Sequence, residues 1–219
     1  MLTPEFGETL EHAGKHGELL VEFADKYGRM QSDSASHIGA LAERVKPDFD
    51  LRQFPSAVEA YVNGPRVSEM LEAEEVLELK DALPKLNEAI SELRGGPVPQ
   101  TIVHGDLGPY NLAELNGKPV AFDWSTAGVS FPFFDMVELL HRVRPLGAGG
   151  NASAMTSEVD GIKQGMKRAY LGAWSSCASP AEIERLWRVA EPLGFMSMAL
   201  HLPFPYFPRR VLQYIREAA

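Results

Sequence analysis

Ile102-Val103-His104-Gly105-Asp106-Leu107-Gly108-Pro109-Tyr110-Asn111-Leu112, followed by Val120-Ala121-Phe122-Asp123-Trp124, is the stretch whose reading decides the fold. Thr101-Ile102-Val103 is short and β-branched, and it predicts a buried strand ending at His104. Leu112 to Leu115, Asn116-Gly117 and Lys118 to Phe122 predict a hairpin. A type I′ turn needs positive φ at both central residues, and Asn-Gly supplies it at little cost. Asp106 therefore leaves the first strand, Asn111 enters the hairpin, and Asp123 leaves it after an apolar Val-Ala-Phe run. Folding the hairpin returns Asp123 to the neighbourhood of Asn111. Two carboxylates and an amide thus stand at strand ends and in the loop between strands, away from solvated helix faces.

Outward from this β element the chain reads as helix. Leu19, Leu20, Phe23, Ala24 and Tyr27 recur at helical spacing between Glu18 and Met30, and His37, Ile38, Leu41, Ala42 and Val45 repeat the pattern up to a stop at Lys46-Pro47. Between Arg66 and Arg94 acidic and apolar residues alternate in a way that predicts two helical pieces parted near Pro84. A further helix follows Asp135 and ends before Pro145, and Gly147 to Asn151 reads as a mobile loop. Two long helices are expected at Glu158–Trp174 and Pro180–Leu200, the second opened by a Ser179-Pro180-Ala181-Glu182 capping box. Pro203, Pro205 and Pro208 predict an extended connector before a last helix from Arg209.

Composition narrows the function classes. The 219 residues carry 21 Lys plus Arg against 30 Asp plus Glu, a net charge of -9. That is the wrong sign for gripping a phosphate backbone, so nucleic acid is excluded as a partner. With one cysteine, Cys177, neither an intrachain disulfide nor a thiolate metal site can be built, which fits a reducing compartment. The start carries no secretory pattern and no stretch approaches the roughly 20 apolar residues of a membrane span. The expectation is a cytoplasmic protein without a membrane partner.

The central residues suit phosphoryl transfer. That reaction needs a carboxylate to orient an attacking hydroxyl and accept its proton, plus hard oxygen ligands holding Mg²⁺ on the nucleotide phosphates. Asp106 fits the first role, Asn111 and Asp123 the second. Taken singly, each is also explained as a turn-forming residue satisfying loop amides, but their joint spacing is not.

His104-Gly105-Asp106-Leu107 with Asn111, then Phe122-Asp123-Trp124, then Asp135 on the following helix, resembles the aminoglycoside phosphotransferase and choline kinase family of small-molecule kinases, relatives of the protein kinases. The order H-x-D-x-x-x-x-N, followed after a hairpin by Asp, corresponds to the kinase catalytic loop and metal-binding Asp. The resemblance implies that Asp106 is the catalytic base, that Asn111 and Asp123 bind Mg²⁺, and that His104 and Asp135 brace the loop. It implies an α+β, predominantly helical, protein-kinase-like C-terminal lobe with a small hairpin beside the catalytic loop. The implied donor is ATP or GTP, and the acceptor is a hydroxyl of a small molecule.

The chain departs from the family pattern at Gly108, where a His or another polar residue is common. It departs again at Ser125 and Thr126, near which an acid often stands, and at Ser130-Phe131-Pro132, where Gly-Asp-Pro is usual. Ahead of the catalytic loop, residues 1 to 100 show neither a glycine-rich hairpin nor a strand Lys; Lys15 in Gly14-Lys15-His16-Gly17 sits in no phosphate-loop frame. The division expected is therefore 1–17 as an N-terminal remnant or linker and 18–219 as the C-terminal lobe, with its catalytic segment at 101–136. The missing N-terminal lobe points to a fragment, a mis-started frame, a natural protein that has lost it, or a partner chain that supplies it. The alternative function is a non-catalytic binding or assembly module.

Other features read more plainly. His12 and His16 lack a third metal ligand, Gly147 to Gly150 lacks the strand and Lys of a phosphate cradle, and Cys177 has no neighbouring base. Phe204-Pro205-Tyr206-Phe207 reads as a packed connector before a pocket lining, and the acids from Glu69 to Glu92 as a solvated face before a magnet for a cationic substrate.

Overall fold

The computed structural model describes residues 7–11, 13–42, 50–144, 152–202 and 204–217. Helix α1 (Ala13–Ser34) buries Leu20, Phe23, Ala24 and Tyr27, as their spacing requires. It starts ahead of Glu18 and bends at His16, whose φ of -119° and ψ of 18° leave the helical region. A 3₁₀ turn leads into α2 (Ile38–Ala42). The Lys46-Pro47 stop, the Gly147–Asn151 loop and His12 lie outside the described residues.

Next come α3 (Phe54–Asn63), which no local signal marked, then α4 (Pro65–Met70), α5 (Ala73–Asp81) and α6 (Leu83–Gly95). The region from Arg66 to Arg94 thus holds three helical pieces rather than two, parted at Leu71-Glu72 and at Ala82. The break expected near Pro84 falls at Ala82, just ahead of the proline. Pro84 itself lies in the first turn of α6, where a missing N–H leaves no helical hydrogen bond unmade. The break before α5 is set by Glu75, whose Oε2 accepts from the Glu72 amide at 3.1 Å.

Strands β1 (Thr101–Val103), β2 (Leu112–Leu115), β3 (Lys118–Ala121) and β4 (Gly128–Ser130) make two antiparallel pairs. Thr101 faces Ser130 across β1 and β4, and Leu112 faces Ala121 across β2 and β3. Asn116 and Gly117 take φ of 53° and 75°, as the hairpin reading demands. β4 was not anticipated, because three residues carry too little periodicity to read. The N-terminal residues run along β2: the Gly7 amide donates to the Glu114 carbonyl at 3.0 Å and the Leu10 amide to the Leu112 carbonyl at 2.9 Å. Leu10 is fully buried there, so the packed body already includes residues 7–11.

Helices α7 (Phe133–Arg142), α8 (Ala152–Gly172), α9 (Pro180–His201) and α10 (Tyr206–Glu217) complete the described chain. The Ser179 hydroxyl accepts from the Glu182 amide at 3.3 Å and opens α9. α10 begins at Tyr206, ahead of the expected Arg209, because Pro208 again falls in a first turn that tolerates it. The acidic face is partly a docking face: Glu75 meets Arg209 at 3.0 Å and Glu78 meets Arg216 at 2.5 Å, tying α5 to α10. Among the described residues no helix is long and apolar enough to cross a membrane.

At the centre of the helical layer, the fully buried Phe133 ring meets Phe131, Tyr170, Trp174 and Trp187 with centroids 4.9 to 5.9 Å apart. These contacts anchor the start of α7, which in turn carries the site described below. Phe133→Ala is expected to cost about 3–5 kcal/mol and to lower the thermal midpoint by roughly 10 °C, as read by calorimetry.

Candidate active site

The site begins where β1 ends. Gly105 adopts φ of 79°, a conformation glycine reaches without a Cβ clash, and turns the chain so that Asp106 leaves the strand. The loop from His104 to Leu107 is held by the first two turns of α7. Asp135 Oδ2 accepts from the His104 amide at 2.6 Å and Oδ1 from the Gly105 amide at 3.1 Å. Glu138 Oε2 accepts from the Leu107 amide at 3.3 Å. Asp135 and Glu138 are 2% and 5% exposed, so these acceptors are as buried as the donors they satisfy.

Helix α1 braces the other side. The Tyr27 hydroxyl donates to Asp135 Oδ2 at 2.5 Å. The Gln31 amide donates to the Ile102 carbonyl at 3.0 Å, and its Oε1 accepts from the Tyr170 hydroxyl at 2.6 Å. Burial pushes the Asp135 carboxyl up, opposed by the Tyr27 hydroxyl and the two loop amides. Burial and then Asp135 hold Tyr27 well above the ordinary tyrosine range.

His104 Nε2 lies 2.9 Å from the Phe122 carbonyl, linking the loop to the end of the hairpin, and Thr126 Oγ1 donates to the His104 carbonyl at 2.9 Å. The His104 ring packs against Trp124 at 4.8 Å.

Asp106 is met on both oxygens. Oδ1 accepts from Arg142 Nη1 at 2.7 Å and from the Tyr110 hydroxyl at 2.8 Å, while Oδ2 lies 3.2 Å from Asn111 Nδ2. Asn111 Nδ2 also donates to the Asp106 carbonyl at 2.9 Å, which leaves the amide oxygen as its uncommitted end. The guanidinium of Arg142 stacks over Tyr110 at 5.2 Å and reaches Glu138 Oε1 with Nη2 at 2.5 Å. Burial first, then Asp135 and Asp106, push the Glu138 carboxyl well up, and the hydrogen bond from the Leu107 amide works against them. A Cβ at Gly108 would stand 2.4 Å from the Tyr110 ring, so glycine at this departure from the family pattern gives Tyr110 room to fold back on Asp106.

Asp123 follows the hairpin. The Phe122 amide donates to the Asn111 carbonyl at 3.1 Å, which sets Asp123 one residue beyond the Asn111 backbone. Asp123 holds φ of 58° and ψ of 60°, left-handed backbone that Asp tolerates better than most residues. The Ser125 hydroxyl donates to Oδ1 at 2.6 Å, and with the Ser125 amide it holds this exposed carboxyl below the usual range. Among the described residues no group of three or more His, Cys, Asp or Glu gathers.

Beside Asp106 a cavity of about 370 Å³ opens between the loop, α7 and α9, walled by Thr126, Phe134, Arg142, Ser197 and His201 among others.

A loop-borne Asp backed by a helix carboxylate, with a second Asp returned beside an Asn, is a motif in space as well as in sequence. The model of the phosphotransferase enzyme family matches residues 3–179. The chain belongs to the phosphotransferase enzyme family. Among solved structures, this member of the family is similar to a glucosamine kinase (17% identity, TM-score 0.54), covering 100% of this chain and 61% of that one. It is similar also to a choline kinase from Cryptosporidium parvum Iowa II (11% identity, TM-score 0.58), covering 99% and 69%. A glucosamine kinase in complex with glucosamine, ADP and inorganic phosphate is a third (17% identity, TM-score 0.53), covering 99% and 62%. The chain thus spans about three fifths of the glucosamine kinases it resembles, and these likenesses show a kinase-like fold. No curated protein matches the sequence.

The structure brings His104, Asp106, Asn111, Asp123 and Asp135 into one contiguous region. Sequence reasoning missed Tyr27, Gln31, Tyr110, Thr126, Glu138 and Arg142. For two of these the signal was present: Glu138 and Arg142 stand three and seven residues after Asp135 and therefore share its helix face. Asp135→Ala strands a buried amide, a part-buried amide and a buried hydroxyl, a loss of about 3–5 kcal/mol. The midpoint is expected to fall by roughly 10 °C, with faster hydrogen exchange at His104 and Gly105. Asp123→Ala, at an exposed carboxylate but in left-handed backbone, should lower it by only about 2–5 °C.

Proposed function

We propose that this chain forms the catalytic lobe of a small-molecule kinase that moves the γ-phosphoryl group of ATP or GTP to a hydroxyl. The observation that carries this reading is the engagement of Asp106 by Asn111 at the mouth of the 370 Å³ cavity, with Asp123 returned beside Asn111 by the hairpin.

In this reading Asp106 orients the acceptor hydroxyl and takes its proton as the oxygen attacks phosphorus. Arg142 keeps Asp106 aimed, and Tyr110 yields its place on Oδ1 to the incoming hydroxyl. Asn111 and Asp123 offer the two hard oxygens suited to Mg²⁺, which takes few protein ligands because it keeps waters and phosphate oxygens. The bound cation would neutralise charge on the nucleotide phosphates. His104 and Asp135 hold the loop so that Asp106 and Asn111 keep their separation during turnover. Groups that cover the phosphates from above are assigned to an upper lobe or a partner chain, outside this lobe.

The cavity sets the acceptor class. Asp106, Asp135 and Glu138 outnumber Arg142 in its wall, and Ser130 Oγ is a buried hydroxyl with no hydrogen-bond partner among the described residues. A small polar molecule with several hydroxyls, or a hydroxyl and an amine, suits this lining better than an anion. Glucosamine and choline, the kinds of acceptor named for the similar structures, are the first to assay, by ADP release at saturating Mg²⁺-ATP. Asp106→Asn keeps the hydrogen-bond frame and removes the base; kcat should fall by roughly 10²–10⁴ with the KM for ATP nearly unchanged. A rate within a few-fold of the parent would remove Asp106 from the chemistry.

A further inference from the structure

Helix α7 has a second face. Asp135, Glu138 and Arg142 serve the loop, whereas Val137 and His141 line a separate cavity of about 290 Å³ closed by α8, α9 and α10. No residue lines both cavities. In a chain of net charge -9, this one gathers basic side chains from three helices: His141 from α7, Lys163 and Lys167 from α8, and Arg210 from α10. Arg144 stands just beyond the end of α7 and acts on the same groups.

These cations are not equally occupied. Lys167 is committed, 2.6 Å from Glu184 and 5.0 Å over the Trp187 ring. Glu191, the carboxylate in this lining, stands against the Tyr214 hydroxyl. The Arg210 guanidinium is held over Phe195 and Tyr214, 5.3 and 5.4 Å from their centroids, and donates to Gln213. Its Nε is buried without a hydrogen-bond partner among the described residues. Lys163 is half-buried, its charge supported by Asp160 on its own helix and opposed by Arg144.

The groups disfavour one another's charge. Burial first, then Arg144, Lys163 and Arg210, hold His141 at about 4, and burial and Arg144 push Lys163 down. Cations drawn together in a partly desolvated cavity, with a buried N–H unanswered, focus a positive potential that Glu184, Asp160 and Glu191 offset only in part. A compact anion with several oxygens would answer the fork of Arg210 and the ammonium of Lys163 together.

We propose that this cavity is a binding site for a compact polyanion of the phosphate type, contacted by the side chains of Arg210 and Lys163 with His141 on its wall. The inference is independent of the phosphotransfer reading, since it uses none of the residues around Asp106.

Pyrophosphate is the probe, titrated calorimetrically into the 219-residue chain in EDTA so that no divalent cation links it to Asp123. Binding should weaken roughly ten-fold or more in Lys163→Met and in Arg210→Gln, and stay unchanged in Asp123→Ala. Saturating pyrophosphate should also raise the pH at which the His141 imidazole titrates by NMR, because the bound anion offsets its cationic neighbours. If the loss of ring packing unfolds Arg210→Gln, the half-buried Lys163→Met carries the test. The proposal is overturned by absence of binding, by binding that Lys163→Met leaves within two-fold, or by bound pyrophosphate that leaves His141 unmoved.

Discussion

A carboxylate buried at the start of α7 holds the rest of the site in place. Asp135 accepts hydrogen bonds from two consecutive backbone amides of the loop, one buried and one part-buried, and from the buried Tyr27 hydroxyl. Buried loop amides have no partner in a ladder or a helix, so without this acceptor each would cost about 1–3 kcal/mol. The N-terminal turn of a helix is a favourable place for the negative charge, since its own free N–H groups point the same way. α7 in turn is fixed by Phe133, wedged among Tyr170, Trp174 and Trp187. Core packing thus sets the helix, the helix carboxylate sets the loop, and the loop sets Asp106.

The same helix distributes charge along its length. Asp135, Glu138 and Arg142 follow one another down the face toward the loop, and Arg142 bridges Glu138 to Asp106. Three carboxylates so close would repel in a partly dry cavity, and the Arg142 guanidinium stands between two of them. The opposite face, at His141, meets cations instead. One helix therefore separates an acid-rich cavity from a base-rich one, a division that the net charge of the chain conceals.

Much of this was legible in the chain. The β1 strand, the Asn116-Gly117 turn and the order of His104, Asp106, Asn111 and Asp123 rest on local rules of φ and spacing, and local rules survive folding. Where the reading failed, the deciding interaction was either tertiary or positional. Pro208 looks like a helix breaker by composition, yet in a first turn the missing N–H leaves nothing unmade. β4 exists because β1 needs a partner, which three residues cannot announce. Tyr27 and Gln31 are polar positions on the buried stripe of α1, and only the packed loop shows what they serve. The 17/18 boundary passes through α1, while residues 7–11 pair with β2. Cys177, half-buried after α8, takes no part in the site.

The account rests on a lobe that presents Asp106, Asn111 and Asp123 to a metal-bound nucleotide. The most direct measurement is the thermal midpoint of the chain with millimolar Mg²⁺-ATP, against ATP in EDTA, for the parent and for Asp123→Ala. A ligand at about 100 times its Kd adds about 2.7 kcal/mol to the native state, a rise of roughly 5–10 °C for a chain of this size. The account predicts that rise in the parent, only with Mg²⁺, and its loss in Asp123→Ala. An unchanged midpoint in the parent, or an equal rise in Asp123→Ala, would contradict it.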